Sequence, residues 1–142
     1  ATRGMDHLRN RVTLEINARI NDDPAFKERL YGAPVSAAPN SYDQKERAVR
    51  VCENTYAVGD SVGMCRFTTK LFNSPSLPGL GEFGAQIANV TGLEFTAGEL
   101  DGVGQNIMGV ERMINSRLGV RRDAGARDRV AGPGRAGTAR GR

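Results

Sequence analysis

Asp60 and Cys65 lie five residues apart in the segment DSVGMC, and their types and spacing point most directly to chemistry. A carboxylate accepts hydrogen bonds from a ligand, whereas a thiolate binds a soft metal. Gly59 and Gly63 predict a tight turn that presents Met64 and Cys65 instead of burying them in regular structure. One short loop could therefore hold a ligand through Asp60 and a metal through Cys65.

The second cysteine, Cys52, gives a different signal. An isolated cysteine is most often a small buried apolar residue, and Cys52 fits that description because it lies on the apolar stripe of a predicted helix. The two cysteines of the chain cannot form a disulfide framework or supply the full thiolate set of an iron–sulfur cluster. If the chain binds a cluster, the other ligands come from elsewhere.

A further candidate group lies near the beginning of the chain. His7 is the only histidine, and an imidazole, which titrates near neutral pH, can act as a general acid or base. Arg3 and Arg9 flank it and would suit an anionic, phosphorylated cofactor. The alternatives are a histidine that serves packing or the surface and two arginines that are ordinary surface charge.

The elements that must position these residues are helices. Apolar spacing and helix-end signals predict five of them, and no period-two strand of any length occurs. The predicted helices cover Val12–Ile20, Ala25–Tyr31 (capped by Asp23 with Pro24 at the first position), Ser41–Ala57 (ended by Gly59), Glu82–Val90 (closed by Gly92) and a last helix that follows Thr96. The expected fold class is mostly α, an irregular multi-helix domain with long ligand-binding loops.

The last helix is the best-supported element. Thr96 and Glu99 have the spacing of a capping box, and Gly119 lies where a left-handed terminating residue belongs. The pattern predicts that one set of apolar side chains, which repeat at three and four residues, lines the buried face: Leu100, Val103, Ile107, Val110 and Ile114.

Charge is distributed unevenly along the chain. Residues 121–142 contain seven arginines and two aspartates, so this stretch has a net charge of +5 and the rest of the chain −1. From Ala124 the sequence is mainly Gly, Ala and Arg, which cannot bury enough apolar surface to offset the entropy of ordering. We therefore expect one folded domain over residues 1–123 and a disordered, solvated tail over 124–142, with nucleic-acid binding the less favoured interpretation.

Neither a membrane span nor a signal peptide is expected. The chain contains no run of about 18 apolar residues and no charged-then-apolar leader. These features predict a cytoplasmic protein. The first residue is Ala1, not Met, which predicts that the chain is a piece of a longer one.

Four segments in order, RGMDHLR, GDSVGMCRF, TGLEFTAGEL and ERMINSRLGVRRD, carry a family resemblance. Over residues 1–123 the chain resembles the C-terminal part of the tungsten-containing aldehyde ferredoxin oxidoreductase family. In that family, the Asp-x-x-Gly-x-Cys motif implies that Asp60 binds the pterin of the tungstopterin cofactor, a tungsten bis-molybdopterin. It also implies that Cys65 is the fourth ligand of a 4Fe-4S cluster, and that Met64, where leucine is commoner, contacts the pterin.

The same resemblance covers the beginning of the chain. The Arg-Gly-x-Asp-His segment implies that His7 lies close to tungsten and helps in proton transfer. By position, Arg3 and Arg9 would contact the pterin, and Arg9 replaces a lysine that is often found there. The implied activity is oxidation of small aldehydes to carboxylic acids with ferredoxin, or a similar protein, as electron acceptor.

The sequence also departs from the family's pattern. The other three cluster cysteines, spaced Cys-x-x-Cys-x-x-x-Cys, and the β-rich N-terminal domain do not occur in these 142 residues. We therefore expect the isolated chain to be inactive without the missing N-terminal domains of the same enzyme. Beyond Asp123 the family continues with an acid-rich turn, whereas this chain changes to Gly, Ala and Arg.

Two alternative functions remain open at this stage. The same family resemblance covers catalytic subunits of ATP-independent aromatic acyl-coenzyme A reductases, which keep the cofactors and change the substrate. From a different class, the chain could be a non-catalytic helical interaction module whose arginine-rich tail binds RNA. The sequence does not identify the substrate or distinguish tungsten from molybdenum.

Overall fold

The structure of the chain, a computed structural model, describes residues 23–69 and 76–119. These ranges form four α-helices and one short 3-10 helix, without a strand: α1 (Pro24–Tyr31), α2 (Lys45–Ser61), the 3-10 helix (Arg66–Thr68), α3 (Leu80–Thr91) and α4 (Ala97–Arg117). The mostly α class is confirmed. No helix in these ranges is long and apolar enough to cross a membrane. The helix predicted over Val12–Ile20 and the tail predicted over 124–142 lie outside the described residues.

Helix α1 has the capping that its sequence predicts. The Asp23 carboxylate accepts a hydrogen bond of 2.8 Å from the backbone N–H of Phe26, and Pro24 is the first helical residue. Gly32 then adopts a left-handed conformation, with φ of 65°. The helix buries Phe26 and Tyr31.

Helix α2 begins at Lys45, four residues later than predicted. Residues 41–44 form a turn in which the Lys45 N–H donates to the carbonyl of Tyr42, and Gln44 has a positive φ of 54°. The predicted stripe is confirmed, because Ala48, Cys52 and Tyr56 are buried in one apolar cluster with Tyr31, Ala33 and Val35. Cys52 is 0% exposed, as its place on the stripe predicted.

The prediction that Gly59 ends α2 is wrong. The helix continues to Ser61, whose hydroxyl donates to the Ala57 carbonyl, and the chain reverses at Gly63 with φ of 75°. Gly59 is buried, and a Cβ there would lie 3.6 Å from the Phe83 ring. Helical structure continues through Gly59 and Asp60 despite the low helix propensity of glycine.

Helix α3 starts two residues before the predicted Glu82 and ends at Thr91, where Gly92 has a φ of 74°. The Glu82 carboxylate accepts a 2.8 Å hydrogen bond from the Gly79 N–H at the helix start. Phe83 is fully buried and packs with Val58 of α2 and Leu100 of α4. This second apolar cluster lies beside the C-terminal end of α2.

The capping box of α4 is confirmed. The Thr96 hydroxyl accepts from the Glu99 N–H at 3.2 Å, and the Glu99 carboxylate accepts from the Thr96 N–H at 2.8 Å. Gly119 after the helix has the predicted left-handed conformation, with φ of 75°.

The predicted buried face of α4 is partly wrong. Leu100 is buried, but Val103, Val110 and Ile114 are 38%, 49% and 50% exposed. The buried positions are instead spaced by four residues, at Leu100, Gly104 and Met108. This register brings α4 very close to α2, because a Cβ at position 104 would overlap the backbone and Cβ of Asn54. Only a glycine permits that approach.

Polar contacts fix the same helix pair. Asn54 donates a 2.9 Å hydrogen bond to the Asp101 carboxylate, which also accepts from Gln105 at 2.7 Å. Farther along, the buried Glu53 carboxylate accepts from the Arg112 guanidinium at 3.1 Å. The middle of α2 is therefore held on one side by α4, and its C-terminal end carries the predicted site.

Candidate functional site

Asp60 occupies the last turn of α2, not the turn that the sequence predicted. Its carboxylate pairs with the Arg66 guanidinium through both oxygens: Nε donates to Oδ1 at 3.2 Å and Nη2 donates to Oδ2 at 2.7 Å. Two parallel hydrogen bonds between planar groups fix the orientation of the carboxylate as well as its position. The pair also ties the residue that follows Cys65 to the end of the helix.

Arg66 lies deeper in the molecule than its partner. Its side chain is 19% exposed, against 36% for Asp60. The guanidinium carbon also lies over the ring of Tyr56, 5.6 Å from the centroid, which is within the range of a cation–π contact. Tyr56 is 1% exposed and belongs to the core cluster around Cys52. The carboxylate is therefore held by a group that is itself anchored on the core, and it stays partly exposed.

Thr69, which follows the 3-10 helix, holds the backbone of Arg66 in place. Its N–H and its hydroxyl both donate to the Arg66 carbonyl, at 3.1 and 2.8 Å, and its side chain also hydrogen-bonds that of Tyr56. Burial raises the pKa of the Tyr56 phenol well above its usual range. Tyr56 therefore stays neutral and serves as a ring and a hydrogen-bonding group, not as a charge.

The loop between Asp60 and Arg66 is anchored at Met64. The Met64 N–H donates to the Gly59 carbonyl at 2.8 Å, and its half-buried side chain packs against the cluster of Val58, Phe83 and Leu100. The next residue, Cys65, is exposed. The prediction that the loop presents Cys65 is confirmed, whereas Met64 fixes the loop to the core.

The backbone of Cys65 is also held. It has extended dihedrals before the 3-10 helix, and its carbonyl accepts from the N–H and the hydroxyl of Thr68 at 3.1 and 2.7 Å. The thiol therefore projects from a fixed backbone. Cys52 has the opposite setting, because burial and the neighbouring Glu53 carboxylate raise the pKa of its thiol to about 12. Only the exposed cysteine is suited to bind a metal.

The sequence-predicted site residues fall into two groups. The structure brings Asp60, Met64 and Cys65 together at the end of α2 and in the loop that follows. Arg3, His7 and Arg9 lie outside the described residues. Within residues 23–69 and 76–119, no group of three or more His, Cys, Asp and Glu side chains is arranged to hold a metal ion.

Comparison with known proteins gives the context of this loop. The family model described as "Aldehyde ferredoxin oxidoreductase, domains 2 & 3" matches residues 1–142. The chain belongs to this family. The resemblance seen in the four sequence segments is thus confirmed, and the family is one of oxidoreductases. Comparisons with curated proteins and with solved structures gave no match. The match includes residues 124–142, and a domain boundary at residue 123 stays a prediction.

Sequence reasoning misses two residues that support this aldehyde ferredoxin oxidoreductase loop: Arg66, directly after Cys65, and Tyr56, within α2. The available signal is an arginine six residues after Asp60. It does not decide the pairing, because the pairing depends on α2 continuing through Asp60, whereas Gly59 predicts the end of the helix.

Proposed function

We propose that this chain forms the C-terminal cofactor-binding part of an enzyme that oxidises aldehydes to carboxylic acids and passes the electrons to ferredoxin. The observation that carries the proposal is the loop at the end of α2, which presents an oriented carboxylate at Asp60 and an exposed thiol at Cys65. The family match along the whole chain supports it. We also propose that the enzyme is cytoplasmic.

The donor set of this loop fits the implied cofactors. A partly exposed carboxylate can accept hydrogen bonds from the N–H groups of a pterin, and an exposed cysteine can supply one thiolate to cluster iron. Within the ranges that the structure describes, no group of three or more His, Cys, Asp and Glu side chains could hold a metal ion, so Cys65 fits the role of one ligand in a set completed from elsewhere. The other ligands would come from the N-terminal domains of the same enzyme.

Each residue then has a distinct task. Asp60 holds the pterin, Met64 fixes the loop to the core and contacts the pterin, and Cys65 holds the cluster. When bound, tungstopterin supplies the two-electron oxidation of the aldehyde. Because Asp60 and Cys65 belong to one anchored segment, the same short loop would hold both the pterin and the cluster.

We assign the remaining tasks to residues near the beginning of the chain. Oxidation of an aldehyde and water to a carboxylic acid releases two electrons and two protons, and His7 is the imidazole that would accept or pass on a proton. Arg3 and Arg9 would bind anionic groups of the pterin cofactor. These assignments rest on the family resemblance of the segment RGMDHLR.

The direct test is Cys65→Ser in the holoenzyme, with Cys52→Ala as the matched control. We expect Cys65→Ser to lower the iron content and ferredoxin reduction while tungsten stays largely bound, since Asp60 is unchanged. Cys52→Ala should retain the iron, because Cys52 is fully buried in an apolar cluster of the core. Metal analysis and the electron paramagnetic resonance signal of the reduced cluster measure both effects.

Normal iron content and a normal cluster signal in Cys65→Ser would contradict the proposal. The substrate class needs a separate assay, in which the holoenzyme is offered small aldehydes or an aromatic acyl-coenzyme A thioester with a viologen dye. Aldehyde-dependent reduction of the dye supports the proposed reaction. Turnover of only the thioester would instead identify the acyl-coenzyme A reductase activity, and metal analysis distinguishes tungsten from molybdenum.

A further inference from the structure

We infer that one side of helix α4 pairs with the same side of a second copy of this chain, in antiparallel orientation. This side, the α4 face, is defined by residues that follow one another at four and three positions: Glu99, Val103, Asn106, Val110, Met113 and Arg117. Residues with this spacing lie on one side of a helix. The inference concerns assembly and goes beyond the proposed function.

The middle of the α4 face is apolar and exposed. Val110 and Met113 are 49% and 59% exposed, and Val103 and the adjacent Ile114 are exposed as well. A different side of the helix carries the contacts with α2. A stripe of exposed apolar side chains that alternate at three and four residues is typical of the seam between two helices. The pattern therefore indicates a helical partner.

Spacing and charge together identify that partner as a second α4. The spacing of the α4 face is the same in both chain directions, so a two-fold axis near position 108 would place Val103 beside Met113 of the second copy. The same axis would place Glu99 beside Arg117 of the second copy, at both ends of the pair. Both of these charged residues are exposed. A parallel pair would instead bring each of them close to its own like charge.

The size of the α4 face sets the expected strength of the pairing. The face is a single stripe that extends about 27 Å along the helix axis. Such a stripe is narrower than the patch of about 800 Å² per partner that a standard stable interface buries. The two end ion pairs are exposed, so they select the orientation more than they add strength. We therefore expect a reversible dimer that forms as concentration rises.

The experiment measures the mass of the holoenzyme by sedimentation velocity over a range of protein concentrations. We expect wild type to change from monomer to dimer as the concentration increases. Val110→Lys should raise the dissociation constant about tenfold or more, because pairing would then bury an unpaired charge. The matched control is Ser116→Lys, which adds the same charge to an exposed position of α4 outside the face and should leave the dissociation constant nearly unchanged.

A charge exchange tests the antiparallel orientation. Glu99→Lys and Arg117→Glu each bring like charges together at both ends of the pair, so each variant alone should dimerise severalfold more weakly than wild type. An equal mixture of the two variants restores opposite charges at both ends, and a mixed dimer of wild-type strength should form. Glu99→Lys also removes a helix cap, but mixing cannot repair a cap. Rescue on mixing therefore reports the pairing itself.

Other occupants of the α4 face give different results. If the N-terminal domains of the same enzyme cover it, the holoenzyme stays monomeric at every concentration and Val110→Lys lowers its thermal stability, which overturns the inference. A dimer that neither Val110→Lys nor Glu99→Lys weakens uses another surface and also overturns it. If Val110→Lys does not fold, the mixing experiment decides: absence of a mixed dimer overturns antiparallel pairing of α4.

Discussion

A cysteine in the middle of α2 and a cysteine just after its C-terminal end have opposite environments. Cys52, in the middle, is fully buried among apolar residues, whereas Cys65, thirteen residues later, is exposed on a loop. Helix α4 and the α1 segment cover the first region. The second region is fixed by an ion pair and backbone hydrogen bonds without being covered. Along this stretch of chain, residues can therefore be fixed in place without being buried.

This difference explains why only one region is suited to ligand binding. Burial raises the pKa of Cys52 and of Tyr56, so both side chains stay neutral. The middle of the helix therefore contributes packing and support. At the end of the helix, Asp60 is oriented by Arg66 while it remains accessible. The buried region supports the exposed one, because the Arg66 guanidinium packs over the ring of the buried Tyr56.

The largest effect that we expect is a difference in thiol reactivity. Burial raises the pKa of Cys52 from 9.0 to about 12, which lowers its thiolate fraction about a thousandfold at neutral pH, and reagents cannot reach it. In the chain without bound metal, iodoacetamide should therefore label the exposed Cys65 far faster than the buried Cys52. Mass spectrometry of the two cysteine peptides measures the rates. Comparable rates would remove the contrast between the two regions.

A pair of glycine substitutions tests whether α4 keeps the middle of α2 buried. Gly104→Ala should destabilise the fold by about 1–3 kcal/mol, because the new Cβ would overlap Asn54. The matched control on the same helix is Gly102→Ala, where nothing lies within 4 Å of the added Cβ. The control should stabilise the fold by up to about 1 kcal/mol, through higher helix propensity. Urea unfolding measures both changes.

The same pair sharpens the comparison of the two thiols. If α4 protects the middle of α2, Gly104→Ala should also speed labelling of Cys52 and leave that of Cys65 unchanged. Equal stability of the two variants would show that the close approach of α4 to Asn54 is not needed for the fold.

These contacts show which parts of the fold the sequence could predict. The beginning of α4 was predictable, because the side chains of Thr96 and Glu99 each accept a hydrogen bond from the backbone N–H of the other residue within one helical turn. Its buried face was not, because large apolar side chains such as Val103 and Val110 form an alternative stripe with the same period. Gly104 lowers the helix propensity of α4, yet its lack of a side chain permits the close approach to Asn54 of α2.

The site was predictable to a similar extent. Residue type and spacing identified Asp60 and Cys65 as the residues of chemical interest, and the structure places them at a helix end and on its adjoining loop. The support of the site was not predictable, because it depends on Arg66 meeting both a residue six positions earlier and the Tyr56 ring. Such contacts depend on how far α2 extends, and Gly59 in the sequence predicts a shorter helix than the one observed.

Alkaline pH should weaken the buried region. The pKa of Cys52 is higher in the folded chain than in the unfolded chain, so its neutral thiol contributes fully below about pH 9 and the contribution is lost between about pH 9 and 12. Each pH unit in that window is worth about 1.4 kcal/mol for this group. The free energy of unfolding, followed by urea denaturation, should therefore fall from pH 8 to 10.

Cys52→Ala isolates this contribution. The variant is less stable at pH 8, because it loses packing, but its free energy of unfolding should fall less steeply with pH. Cys65→Ser, which removes the exposed thiol instead of the buried one, is the matched control for the loss of a cysteine. Identical slopes for wild type and Cys52→Ala would contradict the burial of an ionisable thiol.

The smallest effect concerns the start of α4, where Leu100 packs against Val58 near the end of α2. Thr96→Ala should lower stability by about 1 kcal/mol through loss of the cap.

Hydrogen bonds from the backbone and the hydroxyl of Thr96 lower the pKa of Glu99. The stabilising effect of the Glu99 carboxylate is therefore present above the usual carboxylate pKa and is lost as pH falls through the lowered value. Glu99→Gln should therefore flatten the acid limb of the stability curve, whereas Glu94→Gln in the preceding loop should not. Parallel acid limbs in all three proteins would mean that the cap contributes no charge-dependent stability.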